Sequence, residues 1–164
     1  MSSAAFSFPP QYQPPGFNSR SDPHRFLGKT EQLGGKNFPS LQFSSRSRVP
    51  TEADFQDRIS EILYYIDEPD NNHYVLRRAD HPYPNFGQPR SNQDPVLCEK
   101  IKFISLNYYD NDGKKYDRWD SDSREFDHAT PAAVEVRIDI ESTDSARIYE
   151  TKILIPSCRK KSVR

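Results

Sequence analysis

The chain has 164 residues, 23 basic against 24 acidic side chains and a net charge of -1, so it carries no single-sign field for holding a polyanion or an acidic membrane surface. That balance excludes nucleic acid as an expected partner. Hydrophobic residues make up 34% and the mean hydropathy is -0.93, so a core must be drawn from strands and from 10 Phe and 9 Tyr. Fourteen prolines and 6 glycines oppose long helices, because an interior proline costs roughly 3 kcal/mol.

Residues 1–50 are rich in Pro, Ser, Gly and aromatics, and Pro9-Pro10 and Pro14-Pro15 block helix formation. Phe6, Phe8, Tyr12, Phe17, Phe26 and Phe38 favour an irregular arm pinned by its rings. Leu41–Ser45 is the first strand candidate, and Arg46–Pro50 is its exit. Thr51–Ile66 has apolar residues at helical spacing, yet Glu61–Ile66 and His73–Arg78 are β-rich runs around a hairpin loop at Asp67–Asn72. The expectation is a helical turn near residues 51–56 running into a strand. Ala79–Pro95 holds four prolines and is expected as an exposed loop. Val96–Tyr109 is expected as one long, bent central strand, Val134–Ile140 as an alternating strand and Arg147–Pro156 as the last.

The densest chemical cluster is Asp110, Asp112, Asp117, Asp120 and Asp122 around Trp119, the single tryptophan. Calcium wants several such oxygens converging. Set against an EF-hand loop with Gly113 at the turn, Tyr108 and Trp119 fall where the first acid and the bidentate Glu should stand, so a solvated turn is expected. The carboxylates with Trp119 as a sugar platform also admit a glycosidase-like reading, which needs a concave site that no sequence shows. Trp119 is expected as a core plug beneath the turn. His24, His73, His81 and His128 have no partner at metal-ligand spacing and are expected at surfaces or turns. Cys98 and Cys158 either form a disulfide or remain two buried thiols. Gly-x-Ser-x-Gly, phosphate-loop and His-Glu-x-x-His motifs are missing, so no catalytic, cofactor or metal residue is assigned. No run of about 18 apolar residues is present to span a membrane or act as a secretory signal.

One block carries a resemblance. The strand Ile104-Ser-Leu-Asn-Tyr-Tyr-Asp110, the Trp119-Asp120 segment and Pro131-Ala-Ala-Val134 opening a strand, together with Glu61–Ile66, resemble the minor pseudopilin J family of type II secretion, over about Leu41 to Cys158. The resemblance implies an α+β, predominantly antiparallel β fold with two β-sheets, in a periplasmic domain. It also implies an apolar N-terminal helix, processed and methylated by a prepilin peptidase, which this chain does not contain. The expected role is non-catalytic, at the tip of a pseudopilus anchored in the inner membrane of a Gram-negative bacterium, beside minor pseudopilins of the I and K kinds.

The organisation expected is an arm at residues 1–40, a pseudopilin-like domain at 41–158 and a solvated basic tail at 159–164. The arm and the loop at 79–95 are the candidate partner surfaces by exposure. The competing reading is a secreted β-sandwich that binds calcium or carbohydrate through Asp110–Asp122, with an enzyme third.

Overall fold

A computed structural model of the chain describes residues 13–16, 22–45, 59–82, 90–142, 147–155 and 159. Among these residues the strands are β1 (Leu27–Leu33), β2 (Lys36–Ser45), β3 (Ser60–Asp70), β4 (His73–Pro82), β5 (Val96–Cys98), β6 (Ile101–Tyr109), β7 (Lys115–Tyr116), β8 (Trp119–Asp120), β9 (Ala133–Ile140) and β10 (Arg147–Leu154). They form a six-stranded sheet ordered β5-β4-β3-β2-β1-β8 and a four-stranded sheet ordered β10-β9-β6-β7. Every pairing is antiparallel. No helix occurs among the described residues, so the architecture is all-β there rather than α+β. The helical turn expected near residues 51–56 lies outside the described residues.

The first hairpin turns on two glycines. Gly34 and Gly35 have φ of 56° and 75° between the paired Leu33 and Lys36, the positive-φ pair that a two-residue hairpin turn requires. A Cβ on Gly34 would also come within 2.6 Å of Glu68 Oε2 and Tyr74 Oη. Residues 27–33 and 36–40, expected as part of an irregular arm, are therefore strand, and the strand expected from Leu41 begins at Lys36. The second hairpin is tighter than the loop expected at Asp67–Asn72. Strand β3 runs on to Asp70 with a register shift, and Asn72 takes φ 62°. Glu68 Oε1 accepts from the Asn72 N–H at 2.8 Å, which fixes that turn.

The expected single strand Val96–Tyr109 is two strands in two sheets. β5 pairs with β4, and β6 pairs with β9. Between them Lys100 takes φ 55°, a left-handed step that lets the chain change sheets. The proline-rich loop expected at residues 79–95 begins later: residues 90–95 are loop, mostly exposed, and residues 83–89 lie outside the described residues. Residues 79–82 belong to β4, and Ser91 and Asp94 tie the loop to the sheet. Tyr65 donates its hydroxyl to Ser91 O at 3.1 Å and Asp94 Oδ2 at 2.8 Å, while Arg77 reaches Asp67 Oδ2 and Asp94 O at 2.7 Å each. Burial and the Asp94 carboxylate push the Tyr65 phenol well above its usual value.

Two apolar clusters fill the space between the sheets. Phe26, Phe43, Ile62, Tyr108, Trp119, Phe126 and Val134 make one, and Phe38, Ile66, Tyr74, Ile101 and Ile104 the other. Tyr108 crosses so close to β1 that a Cβ on Gly28 would lie 2.0 Å from its hydroxyl oxygen, so only glycine fits there. That hydroxyl is buried without a hydrogen-bond partner among the described residues, and burial pushes its pKa far up. An unpaired buried hydroxyl costs about 1–3 kcal/mol. Tyr108→Phe keeps the ring and removes the cost, so urea unfolding is expected to show a gain of about 1 kcal/mol. A loss of that size would mean that the hydroxyl is satisfied in solution.

Candidate functional site

The acidic, aromatic segment from Asp110 to Asp122 leaves β6, forms β7 and β8, and returns the chain to the six-stranded sheet. Asp110 ties the first turn. Its Oδ1 accepts from the N–H of Asp112 at 3.0 Å and of Lys114 at 2.9 Å, and its Oδ2 from the Tyr116 hydroxyl at 3.1 Å. Gly113, at φ 80°, completes this turn. Burial works against the charge on Asp110, but the Lys114 N–H, the Tyr116 hydroxyl and the Asp112 N–H together hold its pKa below the usual carboxylate value.

Trp119 is buried at 1% exposure and plugs the core beneath the turn, as its polar flanks imply. Its indole N–H donates to Ala129 O at 2.9 Å. Phe126 stacks on it with centroids 4.0 Å apart, and Tyr116 meets it edge-on at 5.4 Å. Asp120 next to it takes Arg25 in a bidentate pair, Nε and Nη2 each at 2.6 Å, which raises the Arg25 pKa through that hydrogen bond. Asp122 Oδ2 accepts from the Asp22 N–H at 3.3 Å, and its Oδ1 lies 3.9 Å from His128 Nδ1. Asp112 and Asp117 are exposed.

The five carboxylates therefore do not converge. Three of them serve as acceptors for the protein's own donors, and among the described residues no group of three His, Cys, Asp or Glu is placed to hold a metal ion. Trp119 presents no face to solvent. The calcium-or-carbohydrate module thus loses both features that suggested it. A groove of about 580 Å³ does run between Gly28–Thr30 and the segment from Asp117 to Phe126, but it is half open and rimmed by both charge signs.

The residues that sequence reasoning missed lie one layer deeper. His24, expected at a surface or turn, lies in the turn from Asp22 to Arg25 but is fully buried there, with Nδ1 at 3.1 Å from Ser44 Oγ. Asp22 Oδ1 accepts from the His24 backbone N–H at 2.7 Å, and Asp22 Oδ2 accepts from Arg159 Nη1 at 2.6 Å. Arg159 also donates through Nη2 to His24 O at 3.1 Å and through its backbone N–H to Thr130 Oγ1 at 2.9 Å. The first residue of the expected solvated tail is thus a half-buried part of the domain; residues 160–164 lie outside the described residues. Asp, His and Ser stand together here, but not as a nucleophile with its base. The carboxylate holds the His24 backbone rather than its ring, and Ser44 is buried beyond the reach of a substrate. Burial, reinforced by Arg159 and opposed by Asp22, lowers the His24 pKa, so the ring is held neutral.

The other histidines sit apart. His73 opens β4, His81 Nδ1 lies 3.9 Å from Glu61 Oε1, and His128 occupies the turn after β8 at φ 60°. Cys98 ends β5 as a free thiol, pushed up in pKa by burial and by Glu99; Cys158 lies outside the described residues.

On the outer face of the four-stranded sheet, Glu135 gathers Lys115 Nζ at 2.9 Å, the Tyr109 hydroxyl at 2.7 Å and Asn107 Nδ2 at 2.9 Å. Lys115 foremost, then Tyr109, hold its pKa down at about 2. A carboxylate whose folded pKa lies below the ordinary 4.5 contributes stability that is fully present above pH 4.5 and is lost as pH falls toward about 2. An NMR titration of the Glu135 carboxyl is expected to show a midpoint near 2, moving toward 4.5 in Lys115→Met. A wild-type midpoint already near 4.5 would sink this account of the face.

Two antiparallel sheets, with three of the five clustered aspartates tied to the protein's own donors, make a β domain. The sequence matches the family described as type II secretion system (T2SS), protein J, over residues 12–150. That span contains β1 to β9 whole and half of β10, and the chain belongs to this family. It is a minor pseudopilin with a role in type II secretion. No curated protein matches the chain.

Proposed function

We propose that this chain is a non-catalytic subunit at the tip of the type II secretion pseudopilus, where it helps prime filament assembly beside minor pseudopilins of the I and K kinds. The family match over residues 12–150 is the observation that carries this reading. The geometry supports it, because Asp110, Asp120, Asp22 and Arg159 hold elements of the domain to one another. In this reading the β domain is periplasmic, and the complete protein is held in the inner membrane of a Gram-negative bacterium by an apolar helix ahead of it. No helix among the described residues is long and apolar enough to cross a membrane.

The test has two parts. In-frame translation upstream of the Met1 codon is expected to give an apolar helix preceded by a prepilin peptidase cleavage motif; an ordinary signal peptide there counts against the reading. Deleting the coding region is expected to leave type II substrates in the periplasm, with export restored by the intact gene. Unimpaired export after deletion overturns the role.

A further inference from the structure

Sheet edges expose unpaired backbone groups, and native proteins commonly blunt them by keeping edge strands short. At three edges the outermost strand is that short, β7 and β8 with two residues each and β5 with three, and each covers only part of its neighbour β6, β1 or β4. The fourth edge, β10, has eight residues, all exposed, and among the described residues no strand pairs with its outer side. Ile148, Tyr149, Ile153 and Leu154 stand between 49% and 75% exposed along it. An edge of this length and apolarity is a template for another strand.

The order of residues in β10 says which strand fits. Ile148-Tyr149-Glu150-Thr151-Lys152-Ile153-Leu154 is chemically self-complementary about Thr151. We propose that β10 is the docking edge for a second copy of this chain, the two β10 strands pairing antiparallel about a two-fold axis at Thr151. Each Glu150 then lies opposite the Lys152 of its mate, each Ile148 opposite a Leu154 and each Tyr149 opposite an Ile153. Thr151 meets its own equivalent, a favourable cross-strand pair. Shifting the axis to Glu150 or to Lys152 would set two like charges face to face, so charge complementarity selects the one register.

The backbone is compatible with this pairing, as it is with an axis at Glu150 or Lys152, so the register rests on the side chains. The Ile155 N–H bonds to Ala132 O at 2.8 Å, and the β9–β10 register continues without a shift. Antiparallel partners alternate between bonded and non-bonded pairs, so residues 149, 151 and 153 turn their N–H and C=O groups to β9. Residues 148, 150, 152 and 154 turn theirs outward. Those are the residues that become hydrogen-bonded pairs when the axis is at Thr151, 148 with 154 and 150 with 152. The mated four-stranded sheets form one continuous sheet, and the pairing consumes both free edges, so association stops at two copies. Lys152 Nζ now lies 3.3 Å from the centroid of the Tyr109 ring, on the face where the mate's Glu150 would approach.

Sedimentation velocity across a concentration series tests this directly. The chain, of 19.0 kDa, is expected to approach twice that mass reversibly and to go no further. Lys152→Glu puts carboxylates opposite each other twice and is expected to weaken the dimer about tenfold or more, while the double variant E150K/K152E restores it. Both positions are exposed, but within the chain Lys152 stands opposite Glu135 and Glu150 opposite Arg137 on β9, so circular dichroism and urea unfolding are expected to show a folded, somewhat less stable chain, and the double variant is compared in pairing with each single variant. A chain that stays monomeric, a dimer indifferent to Lys152→Glu, or a failure of the double variant to restore pairing overturns the proposal. So does a monomer that instead forms a one-to-one complex with another pseudopilin through this edge, which would make the occupant a different chain.

Discussion

Trp119→Ala is expected to remove about 3–5 kcal/mol of stability, the usual cost of truncating a buried large aromatic. The total for a domain of this size is only about 5–15 kcal/mol, so the loss is a large share of the whole. Three contacts disappear together: the stack on Phe126, the edge contact with Tyr116 and the indole hydrogen bond to Ala129 O. The last leaves a buried carbonyl without its donor. Trp119 also pairs with Gly28 across β8 and β1, so the substitution loosens the strand that seals the end of the six-stranded sheet. Trp119→Phe keeps most of the stacking area and loses the hydrogen bond, and is expected to cost nearer 1–2 kcal/mol. Urea unfolding followed by circular dichroism separates the two. A Trp119→Ala midpoint within about 1 kcal/mol of wild type would mean that this residue is no plug, and would reopen a surface role for it.

The parts of this fold that a sequence shows are those whose pattern is set locally. Val134–Ile140 alternates cleanly because one face meets the core and the other meets water, and β9 runs from Ala133 to Ile140. Glu61–Ile66 and His73–Arg78 carry β-branched and aromatic residues on both faces, and both are strands. The first hairpin was harder to read, because Leu27-Gly-Lys-Thr-Glu-Gln-Leu33 is mostly polar and β1 buries little more than one position. A signal was present all the same: Gly34-Gly35 is a two-residue turn pair, and reading it would have moved the domain boundary upstream of Leu41. The division of Val96–Tyr109 could not be read at all. The break is a single left-handed Lys100, whose conformation is imposed by the two sheets the chain must serve.

The candidate site divides in the same way. The Asp110 turn is local chemistry, a short acidic side chain bonding backbone two and four residues on, and its sequence announces it. The acidic cluster looked dense because its members are close in sequence, yet the acceptors face different donors. Asp120 turns to Arg25 and Asp122 to the Asp22 N–H, 95 and 100 residues away along the chain. Such long-range ties leave no periodic trace. The burial of His24 within its turn went unread for the same reason: a lone histidine in a polar run gives no sign that Ser44 and Arg159 will close over it.

Asp22→Ala is the second substitution expected to have a large effect, at about 3–5 kcal/mol. The reason is the charge it strands rather than the contact it deletes. The Asp22 side chain is fully buried and that of Arg159 is 10% exposed, so removing the carboxylate leaves a guanidinium in a poorly hydrated site. The His24 N–H loses its acceptor at the same stroke. Arg159→Met strands the opposite charge and is expected to cost a similar amount. The pair itself need not be net stabilising, since the desolvation of both ions offsets much of their attraction. The double variant D22A/R159M is therefore expected to lose clearly less than the sum of the two singles, with an interaction of about 1–3 kcal/mol in the cycle. Strict additivity, measured by urea unfolding of the four proteins, would show that the two ends of the domain are not joined here. If they are joined, the pair acts as a clasp: it binds Arg159, beyond β10, to Asp22, ahead of β1, while the Arg159 N–H holds Thr130, ahead of β9.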